Sequence, residues 1–122
     1  MIKLSQRDYD LEDKVNQLEE YLEKKYPVEL WIVYDELRRG LQINSIIVDK
    51  QQRSKGIGSA VMKEIIDFAD KHNIDIVLTP SKDFGGSLKR LEEFYKNFGF
   101  KKNKSDMRWR ETRKREPKNE NL

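Results

Sequence analysis

The sequence predicts a mixed α/β fold, of the α/β or α+β class, in which helices cover one sheet. Segments with apolar residues at helical spacing alternate with short β-branched and aromatic runs. Their order is helix, hairpin, helix, strand, helix, strand. The 122 residues are enough for one hydrophobic core. We therefore predict a single domain over residues 1–111, followed by a charged tail over 112–122.

The first half of the chain predicts one helix and a β-hairpin. Ser5 and the acid three residues later have the spacing of a helix start, and Pro27 ends the helix, which we place at about 8–25. Residues 30–34 and 41–48 predict two strands, joined by a hairpin connection at 35–40. The helix periodicity is carried by Leu11, Val15, Leu18 and Leu22.

The second half predicts two more helices between strands. A charged loop over 49–55 leads into a helix from about 56 to 73, and residues 74–79 predict a third strand. After a loop, the apolar face formed by Leu88, Leu91, Tyr95 and Phe98 predicts a last helix, which stops at Gly99. Residues 100–110 predict one last strand or an irregular hairpin.

Composition and charge exclude several classes of protein. The chain has no cysteine and a single histidine, so disulfides, thiolate chemistry and a metal site are not expected. It contains no apolar run long enough to cross a membrane and no signal peptide at Met1, so we expect a cytoplasmic protein. Residues 1–36 hold five Lys/Arg and ten Asp/Glu, whereas 101–122 hold nine and four. Acids interleave the basic C-terminal residues, which disfavours a nucleic-acid partner.

The loop before the second helix predicts an anion site, most simply a pyrophosphate site. Gly56 and Gly58 let the backbone approach a ligand, and the first N–H groups of a helix have no internal partner. Arg53 and Lys55 add positive charge. A P-loop is excluded because Gly58 is followed by Ser-Ala. From the glycines alone, a tight strand-to-helix turn without a ligand remains an equal alternative.

Two motifs give the sequence a resemblance to a known family. Arg53-Ser54-Lys55-Gly56-Ile57-Gly58 resembles the Arg/Gln-x-x-Gly-x-Gly/Ala loop of the GNAT acetyltransferase superfamily. The run from Glu93 to Phe100, with Phe-Tyr followed by Gly-Phe, resembles the late helix of that family. The resemblance covers about 41–110 and implies a GNAT-like mixed sheet with a shortened N-terminal region. The small size is similar to that of compact phage-borne members, an anti-CRISPR acetyltransferase among them.

The resemblance implies an acetyl-CoA-dependent N-acetyltransferase and assigns its site residues. Tyr95 matches the tyrosine that often acts as general acid to the leaving thiolate; as a residue on an apolar helix face, it is equally a core aromatic. The residues that the resemblance assigns to acetyl-CoA are the strand end Ile46, Ile47 and Val48 for the pantetheine arm, and Arg53 with the amides of Ser54, Lys55, Gly56, Ile57, Gly58 and Ser59 for the pyrophosphate.

The sequence also departs from the family pattern, and these departures bear on the acceptor. Leu88 stands where many relatives have an asparagine that contacts the cofactor, and one helix precedes the hairpin where relatives often have two. An open acceptor cleft follows, which favours a protein lysine as the amine. A GNAT-fold module that acts by binding alone stays an alternative, as does a homodimer. The general base is left open among Glu29, Asp35, Glu36, Asp49, Asp83 and water; His72 is expected to be a packed or capping histidine.

Overall fold

In the part of the chain that the structure describes, a five-stranded sheet packs with three α-helices. The computed structural model describes residues 5–37, 40–53, 55–78, 88–102 and 111–113. The elements are α1 (Gln6–Lys25), β1 (Val28–Asp35), β2 (Gly40–Val48), a short 3₁₀ turn (Lys50–Gln52), α2 (Ile57–His72), β3 (Asp75–Leu78), α3 (Leu88–Asn97), β4 (Lys101–Lys102) and β5 (Glu111–Arg113).

The sheet mixes parallel and antiparallel pairs in the order β1-β2-β3-β5-β4. β1 and β2 form the predicted antiparallel hairpin, and β2 runs parallel to β3. A parallel pair needs a crossover connection, which α2 provides. β5 pairs antiparallel with both β3 and β4. The predicted mixed sheet covered by helices is therefore confirmed.

The core lies where α1 and α2 cover one face of the sheet. Leu30, Ile32 and Tyr34 alternate along β1 and are buried, as expected for strand residues that share a face. They belong to a single apolar cluster with buried residues of both helices, among them Leu22 and Ile65. Removal of this apolar surface from water is the main stabilising contribution to the fold.

Side chains of α1 also occupy the outer edge of β1. β1 is the end strand of the described sheet, so every second backbone N–H points away from β2. Glu23 Oε2 accepts the N–H of Leu30 and Glu19 Oε2 accepts the N–H of Ile32, each at 2.9 Å. α1 thus covers a face of the sheet and also satisfies donors at its edge.

Polar contacts join α1 to α2 at both ends of α1. Near its C-terminal end, Tyr26 Oη donates to Glu64 Oε2 at 2.5 Å, and Lys25 Nζ lies 3.0 Å from the same oxygen. Near its N-terminal end, Arg7 Nη2 donates to the carbonyl oxygen of His72 at 3.0 Å. The two helices therefore lie side by side and antiparallel.

The sequence placed most element boundaries within two residues. α1 begins two residues before the predicted start, and β1 is longer than predicted by two residues at its start and one at its end. Gly99 has a φ of 92° and follows the end of α3, which confirms it as the stop. The segment predicted as one last strand or an irregular hairpin, 100–110, contains β4, but β5 (Glu111–Arg113) begins after it and extends into the predicted tail, so that prediction was wrong for β5. Its pairing with β3 and β4 is a contact between distant residues that no local pattern reveals. Residues 114–122 of the predicted tail lie outside the described residues.

Candidate active site

The turn between β2 and α2 leaves the start of α2 open. Gly56 precedes the helix with a φ of 76°, the left-handed region that favours glycine, and makes no side-chain cap hydrogen bond. A Cβ placed there would meet no atom within 4 Å. The first intrahelical bond is donated by Ala60 to the carbonyl of Gly56. The amides of residues 57–59 precede that bond and point out of the helix end.

Two cations flank this helix end. Arg53 is exposed, and its Nε donates to the carbonyl oxygen of Val48 at 3.3 Å, which holds the guanidinium at the end of β2. Lys55 is exposed as well and donates to Gln52 Oε1 at 3.2 Å. Open amides, the positive end of the helix dipole and two cations form a site suited to a phosphate or diphosphate.

Apolar groups form the floor of the turn. A Cβ at Gly58 would lie 3.8 Å from Phe94 Cζ and 3.9 Å from Val48 Cγ2, so the backbone of α2 passes close to both side chains. Val48 and Phe94 are partly buried against the core. Phe94 lies in the late motif, but the sequence pattern gave it no role in the site; only the packing of α3 against the turn identifies it.

The other predicted cofactor-binding residues lie around the same turn. Ile46 pairs with Leu30 and shares its core face, whereas Ile47 pairs with Glu29 on the opposite face. Ile57 is half-buried against the core, and Ser59 is exposed on the first turn of α2. Ser54 lies outside the described residues. The remaining predicted residues therefore follow one path from the end of β2 into α2.

β2 carries an irregularity that the sequence did not reveal. Trp31 pairs with Ser45 while Ile32 pairs with Ile43, so Asn44 is the extra residue of a β-bulge. The parallel pairing of β2 with β3 covers residues 40–43. Among the described residues, the rest of β2 pairs with β1 alone. The other backbone edge of β2, from the bulge to the turn that precedes α2, therefore has no described strand beside it.

Tyr95 lies in the core cluster close to the turn. Its side chain is 8% exposed, and it makes edge contacts with Phe94 and Phe100 at centroid distances of 5.4 and 5.9 Å. Burial raises the pKa of the Tyr95 hydroxyl to about 12, so the phenol keeps its proton throughout the physiological range. Phe94 contacts both Tyr95 and the Gly58 position, which connects the predicted acid to the predicted phosphate site.

The comparisons with known proteins agree with this geometry. Residues 22–102 match the family described as the acetyltransferase (GNAT) domain. The chain belongs to the GNAT acetyltransferase family. That family uses acetyl-CoA, so this GNAT protein is an acetyl-CoA-dependent acyltransferase. No curated protein sequence matches it significantly.

Two solved structures share the GNAT fold of the chain. The crystal structure of the anti-CRISPR protein AcrVA5 is similar with a TM-score of 0.57 and 24% identity, over 70% of this chain and 87% of that one. The crystal structure of PH1933 from Pyrococcus horikoshii OT3 is similar with a TM-score of 0.55 and 20% identity, over 95% and 96%. At these identities the likeness concerns the fold.

The structure separates the candidate general bases into two groups. Glu29 and Asp49 line a cavity of about 450 Å³ beside the end of β2, together with Val48 and Arg53. Asp35 and Glu36 lie at the other end of β1. Asp83 lies outside the described residues. Glu29 and Asp49 are thus the candidates that the fold brings to the GNAT turn.

His72 is far from this turn. It ends the 16-residue α2, and a rise of about 1.5 Å per residue places it about 22 Å from Ile57. Its ring packs against Phe68 at 4.5 Å, and burial, followed by the charges of nearby cations, lowers its pKa. The structure therefore places His72 as a packed residue at the helix end. No group of three or more acidic or histidine side chains in the described ranges could hold a metal ion, and none of the described helices has the length and hydropathy of a membrane span.

Proposed function

We propose that the chain transfers the acetyl group of acetyl-CoA to a primary amine of a protein, either a lysine side chain or an N-terminus. The observation that carries this proposal is the uncapped start of α2 beside the end of β2. Nothing but a ligand or water completes the hydrogen bonding of that helix end among the described residues. If the chain is phage-borne, as the compact members that it resembles are, the acceptor is a host protein.

The pyrophosphate of CoA fits this helix end by charge and by shape. The amides of residues 57–59 donate toward it, and Arg53 and Lys55 offset its charge. Gly56 and Gly58 keep side chains away from the approach. Ser54 completes the loop in the proposal by its backbone N–H, as the family pattern implies.

The end of β2 suits the pantetheine arm. An amide-bearing chain binds along a strand edge whose N–H and C=O groups have no described partner strand, and residues 46–48 offer such an edge. Val48 and Phe94 give this path an apolar wall that leads to the phosphate turn.

Acetyl-CoA supplies a thioester, whose acetyl group passes to the amine. A backbone N–H at the end of β2, near Val48, is suited to stabilise negative charge on the carbonyl oxygen. In this proposal Tyr95, which keeps its proton at neutral pH, donates a hydrogen bond to the leaving sulfur. With a pKa of about 12 it is a weaker acid than a thiol of pKa about 8.5, so it stabilises the departing thiolate without transferring its proton fully.

The surroundings of the turn support an amine on a large acceptor. In the described chain a single helix, α1, precedes the β1–β2 hairpin, so the cavity beside Val48 is open to solvent. A lysine amine has a pKa of about 10.4 and must lose a proton before it attacks. Glu29 and Asp49 lie where a carboxylate or a water bound to it receives that proton. The cytoplasm as the location belongs to the same proposal.

A binding module that keeps CoA without turnover is the second candidate, and α3 beginning at Leu88 in place of the asparagine of many relatives favours it. Incubation with acetyl-CoA and a panel of lysine peptides and free N-terminal peptides separates the two. Release of free thiol together with a mass gain of one acetyl group on a peptide supports the enzyme. Tight CoA binding without either product supports the module and contradicts our proposal.

A further inference from the structure

A second concave surface lies between α1 and α2, away from the turn described above. We call it the α1–α2 groove; it has a volume of about 380 Å³. It contains none of the residues assigned to acetyl-CoA. Its lining includes Lys14, Leu18, Tyr21, Phe68, Lys71 and His72.

The floor of the groove is apolar and remains accessible. Leu18 and Phe68 pack partly against the core and keep part of their surface exposed. Tyr21 is 50% exposed and forms one wall. An apolar side chain that enters here would remove surface of all three from water, which favours association.

The rim of the groove is positively charged. Lys14 and Lys71 are both exposed on this rim, whereas Lys25 of α1 pairs with Glu64 of α2 outside the groove. Their effect reaches His72, whose pKa is lowered first by burial and then by the charges of Lys14, Lys71 and Arg7. Cations of α1 and of α2 therefore both lie close enough to His72 to lower its pKa.

The distribution of charge on α1 strengthens this observation. α1 contains four Lys/Arg and seven Asp/Glu, yet Arg7 and Lys14, two turns apart, are on the side that faces α2. Glu19 and Glu23 instead face β1 and bind its backbone. A helix that is acidic as a whole thus places Lys14 in the groove and Arg7 beside the adjoining end of α2.

We propose that the α1–α2 groove docks an acidic peptide segment through an aromatic or aliphatic anchor residue. The anchor packs on Leu18 and Phe68, and carboxylates on either side of it pair with Lys14 and Lys71. A nucleic acid fits less well, because the groove is short and its floor is apolar, whereas a phosphate backbone is bound along a continuous run of cations. The proposal is independent of acetyl transfer, since the groove lies at the far end of α2.

Titration of the ¹⁵N-labelled full chain with a capped Asp-Glu-Phe-Glu-Asp peptide tests the proposal without acetyl-CoA. We expect saturable shifts of amides around Leu18 and Phe68, and a rise in the pKa of His72 as carboxylates join the cations around it. Affinity should fall as the salt concentration is raised from about 0.05 M to about 0.5 M. Two control peptides, with glycine in place of phenylalanine or with lysines in place of the acids, should bind at least about tenfold more weakly.

Charge reversal at the rim gives the matched comparison. The double variant Lys14→Glu with Lys71→Glu should weaken peptide binding by about tenfold or more, because attraction becomes repulsion. The control is the double variant Lys24→Glu with Lys63→Glu, which changes the net charge by the same amount at one exposed position of α1 and one of α2, both outside the groove. It should leave the affinity for the peptide within about twofold of the wild-type value. If the protein with Lys14→Glu and Lys71→Glu does not fold, the double variant Lys14→Gln with Lys71→Gln is used in its place.

Three results would overturn the proposal. One is the absence of any saturable shift at millimolar peptide. Another is equal weakening by the two double variants, which would reduce the effect to net charge. The third is equal or tighter binding of a single-stranded oligonucleotide at the same residues, which would assign the groove to nucleic acid.

Discussion

The two long helices of this protein begin in opposite ways. At the start of α1, Ser5 Oγ accepts the N–H of Asp8 at 3.1 Å, and Asp8 Oδ2 accepts the N–H of Ser5 at 3.0 Å. This is a complete capping box. At the start of α2, Gly56 makes no side-chain cap at all. One helix end is thus satisfied by the chain itself, while the other offers its donors outward.

The difference shows how one chain divides stability and binding between two similar elements. Asp8 is 3% exposed and also accepts a hydrogen bond from Tyr34 Oη at 2.6 Å, which fixes α1 on β1. Such a closed end adds to stability and fills the helix start with a carboxylate of the chain itself. The open end of α2 has glycine at the N-cap, which costs roughly a few tenths of a kcal/mol relative to a capping side chain, and it retains a place for an anion.

The largest expected effect comes from filling the open end. Gly58→Glu should lower the affinity for CoA at least about a hundredfold, because the carboxylate occupies and repels the diphosphate site. Gly58→Ala is the control: its Cβ meets only ordinary contacts at 3.8 and 3.9 Å, so fold and binding should persist. Calorimetry with CoA measures both. Equal affinity in the two variants would refute the placement of the diphosphate.

Breaking the closed end should instead cost stability. Asp8→Ala removes half of the capping box and the acceptor of Tyr34 Oη, and we expect a loss of about 2 kcal/mol in the free energy of unfolding. Urea denaturation measures it. The affinity of the folded variant for CoA should not change. Asp10→Ala, at an exposed position of the same helix, should cost less than about 0.5 kcal/mol; similar losses in both variants would contradict the role of the box.

Removal of the Tyr95 hydroxyl, near the open start of α2, should affect turnover. Tyr95→Phe should lower kcat at least about tenfold and leave the KM for acetyl-CoA nearly unchanged, since the phenol acts on the departing sulfur rather than in binding. Tyr9→Phe changes an exposed tyrosine in the same way and should be silent. Thiol release under saturating substrate measures both. Unchanged turnover would reduce Tyr95 to a packing residue.

The same substitution predicts a change in alkaline stability. Unfolded Tyr95 loses its proton near pH 10, whereas the folded residue holds it up to about 12, so the wild-type protein loses stability as the pH rises above 10. By pH 11 this loss should be about 1 kcal/mol, and Tyr95→Phe should lack it. Urea titrations at pH 9 and 11, made on both proteins, test the difference. Parallel losses in the two proteins would show that Tyr95 is not buried as described.

The smallest expected effect concerns the backbone N–H groups at the edge of β1 that donate to carboxylates of α1. Glu23→Ala removes the acceptor of the Leu30 N–H and should cost about 1 kcal/mol or less, because water replaces the carboxylate in part. Hydrogen exchange of the Leu30 amide should accelerate several-fold. Glu20→Ala, at an exposed position beside it, serves as the control. Equal exchange rates of the Leu30 amide in the two variants would mean that the Glu23 carboxylate does not protect this amide from exchange.

Local rules were enough to predict most of the elements and the open helix start that follows β2. The Ser5 box, the stop at Gly99 and the glycines at 56 and 58 act through backbone conformation and neighbouring N–H groups, and the structure has them as predicted. The family motifs added acetyl-CoA, which the family match bears out. The roles of individual site residues, Tyr95 among them, stay predictions.

Other features depend on residues that are far apart in the chain. The bulge at Asn44 exists only in the register against β1, and Phe94 reaches Gly58 only after α3 packs on the turn. From the sequence, Glu19 and Glu23 are expected on a solvated face of α1. In the structure their carboxylates accept backbone N–H groups of β1.

The sequence by itself therefore determined where the helices and the first three strands lie and which turn offers bare backbone donors, because these follow from steric limits and hydrogen bonding among neighbours. Only the tertiary structure decided which donors the protein satisfies with its own side chains and which it leaves for a ligand. That choice depends on what packing brings beside each donor, and packing is a property of the whole fold.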